Sequence, residues 1–279
     1  MSVVLAVVVG LLAVRLLVGA GHELLRAEAF ERPNRHGRRV PTAMGLFAVL
    51  AVLLVEAGRS AFAAFGVGDA PASTARVLVL FTCVGFGLLG LLDDVVGSQS
   101  DAGFRGHLAA LARGRVTTGL VKIAGGGALA IVLVSVNRPH HSGPRLVADA
   151  AIVALFANLT NLFDTAPGRT IKVALLAWVP IALVARGDPV GVAVAPVVGA
   201  FAGLLGDDLR ERLMLGDTGS NVIGAVLGLA VVLECGAWTR AIVLAALVAL
   251  TFASELVSFG RVIERVPALR RFDELGRGA

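Results

Sequence analysis

Residues Val77–Val96 read VLVLFTCVGFGLLGLLDDVV: sixteen positions without a charge, then two adjacent aspartates. A helix needs about 20 apolar residues to cross the hydrocarbon core of a bilayer, and this stretch has that length and character. Comparable stretches recur at roughly 2–21, 41–57, 116–136, 146–163, 171–186, 190–206, 219–235 and 238–260, with short polar loops between them. The composition agrees: 57% of the 279 residues are hydrophobic, 16% are charged, and the mean hydropathy is +0.85. An ordinary soluble domain is about a quarter charged and under half apolar, and a disordered chain cannot leave so much apolar surface in water. The expected fold is all-α: a polytopic transmembrane helical bundle of about nine to ten spans. Residues 1–260 form one membrane domain, and 261–279 form a basic tail.

The net charge is +5 and the calculated pI is about 10.4. In a soluble protein such a balance points to nucleic acid. Here the Arg- and Lys-rich cytoplasmic loops of membrane proteins account for it. With 5% aromatic residues and no Tyr, no platform for stacking bases is present, so nucleic acid is not an expected partner. The loops after the first, third, fifth and seventh spans, with the tail and with Lys122 and Lys172 at the starts of the spans that follow, hold 18 of the 25 basic residues. The opposite loops hold Arg59, Arg76, Arg138, Arg145, Arg186 and Arg240, and Arg15 lies in the first span. This asymmetry places the amino terminus outside and the carboxyl terminus in the cytoplasm. The amino-terminal stretch lacks the basic start and cleavage site of a signal peptide and reads as the first span. Cys83 and Cys235 fall in apolar spans as small core residues, with no disulfide framework or zinc site implied.

The orientation gathers the polar residues on one side. Asp93, Asp94, Asn158, Asn161, Asp164, Asp207, Asp208 and Asp217 all fall at the cytoplasmic interface, while the outer loops offer His140, His141, Asp69, Asp149 and Asp188. A transporter carries polar residues near the midplane on broken helices. Arg15, Glu56, Glu234 and Glu255, the remaining charges in or at the edges of spans, form no such pathway.

Adjacent carboxylates at the end of a membrane helix are costly unless they meet water, a partner or a metal. Asp93 and Asp94 point about 100° apart, so both can border one cavity. They read either as a metal ligand and a base, or as solvated helix-end acids. Asn158, Asn161 and Asp164 are spaced by three and share one arc of a helix. They can read a polar ligand or act as interhelical glue. Gly216-Asp-Thr-Gly-Ser220 has the residue types that cap a helix, and a helix amino terminus also attracts phosphate. Asp207, Asp208 and Glu211 lie beside Arg210 and Arg212 as a local charge cluster. Two basic stretches, Glu31–Thr42 and Gly103–His107 with Arg113, Arg115 and Lys122, offer cations to phosphates. Small-residue helix surfaces permit a homodimer.

Four segments in a fixed order complete the reading: Val40-Pro-Thr-Ala-Met-Gly45, Leu92-Asp-Asp94, Asn158-Leu-Thr-Asn-Leu-Phe-Asp164 and Leu215-Gly-Asp-Thr-Gly-Ser220. In this order the chain resembles the polyprenyl-phosphate N-acetylhexosamine-1-phosphate transferase family. The resemblance implies a Mg²⁺-dependent enzyme of the plasma membrane, with its active site on the cytoplasmic face. A UDP-sugar would give its sugar phosphate to a polyprenyl phosphate such as undecaprenyl phosphate, releasing UMP, in cell-envelope glycan synthesis. It further implies Asp93 and Asp94 as catalytic groups and Asp217 with Asp94 at the metal. Arg38, Thr42, Lys122, Asn158, Asn161, Asp164 and Arg169 would contact substrates. The chain departs from the family at Gly97 and Pro167, where aspartates often stand, and no His follows His141. The second expectation is therefore an inactive relative that binds polyprenyl phosphate or acts as a scaffold.

Overall fold

The structure, a computed structural model, describes residues 1–34, 36–68, 72–97, 106, 110–137, 142–185 and 188–277. The positions discussed above at Arg35, Asp69, Gly103-Phe-Arg105, His107, Arg138, His140, His141 and Arg186 lie outside the described residues. The principal helices are α1 (Val3–Gly21), α2 (Gly45–Ala64), α3 (Thr74–Val96), α4 (Thr118–Asn137), α5 (Gly143–Phe163), α6 (Arg169–Ala185), α7 (Pro189–Leu209), α8 (Gly216–Glu234) and α9 (Ala237–Leu256). Two short helices follow, α10 (Phe259–Arg265) and α11 (Pro267–Glu274). A small antiparallel hairpin, β1 (Glu31–Pro33) and β2 (Arg39–Pro41), precedes α2.

A membrane interior leaves no water for backbone groups, so an apolar run that crosses it closes its hydrogen bonds within a helix. Among the described residues, eight helices are long and apolar enough to cross. The remaining long helix, α6, has 17 residues, the short end of what can span. Helix starts follow local chemistry. The Ser73 hydroxyl accepts from Arg76 N at 3.3 Å, and Asp188 Oδ1 accepts from Gly191 N at 2.8 Å just before Pro189.

The bundle is built around α8, which packs along α3 and α5 and also meets α2, α6 and α7. Within its apolar window 83% of α8 is buried, against 11% for α9, so α8 is the axis and α9 lies at the perimeter facing lipid. The ion pairs test the threading independently. Arg15 pairs with Asp207, Arg76 with Glu56, and Arg240 with Asp149. Each joins residues that the alternating spans place at the same end of the bundle. The Asp207 pairing also corrects a sequence expectation. That carboxylate reaches across to α1 as well as to nearby Arg212 at 3.7 Å, so the cluster around it is tertiary.

The basic tail is helical from Phe259 to Arg265 and from Pro267 to Glu274. Its two helices dock on the α5–α6 loop, with Phe259 stacked on Phe163 at 5.2 Å between ring centroids.

Candidate active site

The site forms where the amino termini of α2 and α8 are held side by side. Met214 N donates to Pro41 O at 2.8 Å, Met44 N to Met214 O at 3.1 Å, and Gly45 N to Leu215 O at 3.1 Å. To make this junction Ala43 adopts φ 61°, the left-handed region in which a side chain is strained. The carboxyl end of α3 then approaches the start of α8. A Cβ on Gly90 would lie 2.4 Å from Asp217 O, so only glycine allows the approach.

Asp94 fastens that contact. Its Oδ1 accepts from Asp217 N at 2.9 Å, while Oδ2 accepts from Thr218 N at 2.9 Å and Thr218 Oγ1 at 2.6 Å. The free N–H groups at the start of α8 are thus capped by a carboxylate from another helix, where the helix dipole favours an anion. The capping expected from Asp217, Thr218 or Ser220 themselves is not what occurs. Two of the N–H groups that a phosphate would meet at this helix start, those of Asp217 and Thr218, are already held by Asp94. Gly216, at φ 72°, brings the turn so close that a Cβ would meet Asp94 Oδ2 at 2.7 Å and Ala43 N at 2.8 Å.

Asp93 turns the other way, as the 100° offset requires. Its Oδ2 accepts from Lys122 Nζ at 2.8 Å, and Thr118 at the start of α4 donates to the same carboxylate. Lys122 also donates to Asp217 Oδ2, so one ammonium from α4 lies between carboxylates from α3 and α8. The three side chains remain 19–26% exposed and are open at the end of the bundle. Lys122 was expected to meet phosphate directly; in this structure it bridges the two acids.

Beneath the acids lies a polar layer between α5 and α8. Thr160 Oγ1 donates to Ser220 O at 2.7 Å, and Asn161 Nδ2 reaches Ser220 Oγ at 3.3 Å and Asn221 Oδ1 at 3.4 Å. Asp164, just past the end of α5, accepts from Thr170 Oγ1 at 3.2 Å. Burial, and then the neighbouring carboxylates of Asp208, Asp217 and Asp94, push its carboxyl well above the usual range. Asp208 is buried and fastens the same loop by accepting from Gly168 N at 2.9 Å. Asn158 does not join this layer. It is exposed and its side chain hydrogen-bonds to no described residue, so the three-residue spacing places only Asn161 and Asp164 in this layer.

The remaining expected substrate contacts are differently placed. Arg169 is buried and donates through Nε and one terminal nitrogen to the two Asp273 oxygens, both at 2.8 Å. Lys172 donates to the carbonyls of Phe272, Asp273 and Leu275, closing the end of α11. Neither cation is available to a phosphate while the carboxyl-terminal helices are docked. Burial alone would raise the Asp273 carboxyl, but hydrogen bonds from Arg169 and Arg277 outweigh it and hold it below its ordinary value. Arg38 is exposed and 3.7 Å from Glu211. Thr42 is buried, with its N–H donated to Phe30 O at 2.8 Å. Arg32, in the basic stretch, donates to Asp94 O at 2.6 Å and Val95 O at 3.0 Å, capping α3 directly behind the acids.

The donor chemistry fits a hard divalent cation. Among the described residues no three acidic, His or Cys side chains converge as a ready-made cage. Mg²⁺ seldom needs one, since one or two carboxylates suffice when substrate phosphates and waters complete the shell. Asp93 and Asp217 already flank a cation, the Lys122 ammonium, and keep exposed oxygens. Asp94, expected at the metal beside Asp217, uses both its oxygens in the α8 cap, Oδ1 accepting one hydrogen bond and Oδ2 two. Arg32, Thr160, Thr170, Asn221 and Asp273 were not singled out from the sequence. Of these, Asn221 carried a readable signal: an amide four residues after Asp217, within an apolar span.

Comparison with known proteins adds two relatives. The chain is 30% identical over 206 residues to a phospho-N-acetylmuramoyl-pentapeptide-transferase from Deinococcus radiodurans, an alignment covering 71% of this chain and 63% of that one. It is 26% identical over 236 residues to a protein of the same name from Desulfitobacterium hafniense, covering 72% and 65%. The chain thus spans less than two thirds of the length of either relative. No family model matches. Both relatives carry the name of a family to which the ordered motifs point.

Proposed function

We propose that this relative of the phospho-N-acetylmuramoyl-pentapeptide transferases is a membrane phosphotransferase that moves a sugar 1-phosphate from a UDP-sugar to a polyprenyl phosphate. The reaction takes place at the cytoplasmic face of the plasma membrane and depends on Mg²⁺. The observation that carries this reading is the Asp93–Lys122–Asp217 cluster, open at the polar end of the bundle. Two anionic phosphates must meet there, and their repulsion is the main obstacle to reaction.

In the transfer, an oxygen of the acceptor phosphate forms a bond to the phosphorus that carries the sugar. The bond from that phosphorus to the bridging oxygen breaks, and UMP leaves with the electron pair. When bound, Mg²⁺ would neutralise the phosphate oxygens and polarise the phosphorus. Asp217 and Asp93 would hold it. Lys122, which bridges the two carboxylates, can donate to a phosphate oxygen instead, an exchange of partners within reach of one flexible side chain. Asp93 orients the acceptor or takes its proton, because it is the member of the acidic pair with exposed oxygens. Asp94 works at one remove, by fixing the start of α8 and hence Asp217. Asn161 and Asp164 line the donor side.

The test is product analysis. Purified full-length protein is incubated with undecaprenyl phosphate, Mg²⁺ and a panel of UDP-sugars, and the lipid fraction is analysed by mass spectrometry. A lipid diphosphate sugar that forms with one donor and vanishes with a chelator supports the proposal. No lipid product from any donor, with a related transferase active alongside, favours a scaffold that binds the lipid.

A further inference from the structure

Asn221 is 3% exposed, yet its Nδ2 has no hydrogen-bond partner. Buried amide donors are nearly always paired, and one left unpaired in a membrane interior calls for an explanation. Turning the amide over does not remove the problem. The contact with Asn161 can be kept by rotating both amides together, and the orphan then becomes an acceptor in place of a donor. The seam between α5 and α8 does not need this group, since the single Thr160 hydroxyl proton already joins the two helices by donating to Ser220 O at 2.7 Å. Asn161 reaches Asn221 only at 3.4 Å, a long and weak contact. A leucine at 221 would satisfy the packing with no orphan.

The position supplies the explanation. Asn221 follows Asp217 by four residues, so it lies on the same face of α8, about 6 Å deeper along the helix axis. The acids form the rim of the site, and Asn161 and Asn221 form a layer of amides below it. We infer that Asn221 is a specificity residue of the proposed transferase, its free amide binding a carbonyl oxygen of the nucleotide-sugar donor that reaches below Asp217. Two parts of such a donor carry that chemistry: the uracil ring and an acylamino group on the sugar. The inference rests on the donor reading of the site.

The experiment uses the full-length protein in detergent, as wild type, Asn221→Leu and Asn221→Ala, titrated by thermal shift with UMP, UDP-glucose and UDP-N-acetylglucosamine. Wild type is stabilised by UDP-N-acetylglucosamine, and Asn221→Leu melts unliganded at or above the wild-type temperature. The leucine variant binds about tenfold more weakly, the loss expected for one hydrogen bond to a buried polar group. A loss seen with all three ligands assigns the contact to uracil, and a loss seen only with UDP-N-acetylglucosamine assigns it to the acyl group. If Asn221→Leu does not accumulate, Asn221→Ala gives the same readout. Equal affinities in wild type and variants for every ligand that binds overturn the inference while leaving the donor reading intact. A wild type that binds none of the three refutes the donor reading, and the inference with it.

Discussion

Replacing Asp94 by Asn distinguishes a cap from a catalyst. The carboxylate accepts three hydrogen bonds, from Asp217 N, Thr218 N and Thr218 Oγ1, at 2.9, 2.9 and 2.6 Å. An amide has one acceptor oxygen. Facing Thr218, it keeps two bonds but sets its NH₂ against the Asp217 N–H, donor against donor. Facing Asp217, it keeps one and opposes the Thr218 N–H. In either pose at least one charge-assisted bond is lost and a helix-start N–H is left without an acceptor, a cost of about 2–3 kcal/mol. For a chain of this size that lowers the melting temperature by roughly 4–10 °C. The assay is thermal unfolding of the detergent-solubilised protein, with Asp93→Asn as the control. Asp93 is partly exposed, and Lys122 keeps Asp217 without it. Its variant therefore melts within about 1 kcal/mol of wild type, the scale of a partly exposed ion pair, while transfer is lost. If Asp94→Asn melts like wild type, the cap is not what Asp94 does and the reasoning fails.

Three further outcomes follow from the same geometry. Gly216→Ala puts an alanine at φ 72° with its Cβ against Asp94 and the backbone of Ala43, and thermal unfolding should show a loss of at least about 2 kcal/mol. Glu56→Gln leaves the buried Arg76 guanidinium without its carboxylate, so stability falls by roughly 3–5 kcal/mol while activity per folded molecule is unchanged. The Asp273 carboxyl is held below its ordinary value, so docking of the last helices is at full strength above the unfolded carboxyl pKa, near 4. It weakens as the pH falls through the lower folded value. Asp273→Asn should release the helices at neutral pH, read as faster tryptic cleavage at Arg270 and Arg271.

Much of the bundle is legible in the sequence because hydrophobic length and loop charge are local properties. The stretch from Val77 to Val96 announces α3, and the Asp93–Asp94 pair at its end announces a polar interface. What the two aspartates do was not legible, because it depends on how α3 is rotated against α4 and α8. That rotation sends Asp93 to Lys122 and Asp94 to the start of α8. Arg169 was expected to contact substrate, and in the fold it anchors Asp273, more than a hundred residues away. The three-residue spacing put Asn158, Asn161 and Asp164 on one arc of a helix, but the helix ends before Asp164 and Asn158 lies outside the packed seam. Residue type marked where polar chemistry gathers, and tertiary contacts then selected which residues take part.

The central claim is that Asp217 and Asp93 hold the cation at which two phosphates react. The direct measurement is UMP release by wild type and Asp217→Asn, with a transferable UDP-sugar, each with and without undecaprenyl phosphate and Mg²⁺. The account predicts release that requires both lipid and metal and falls by about a hundredfold or more in Asp217→Asn. Release undiminished in Asp217→Asn, or independent of the lipid phosphate, would contradict it.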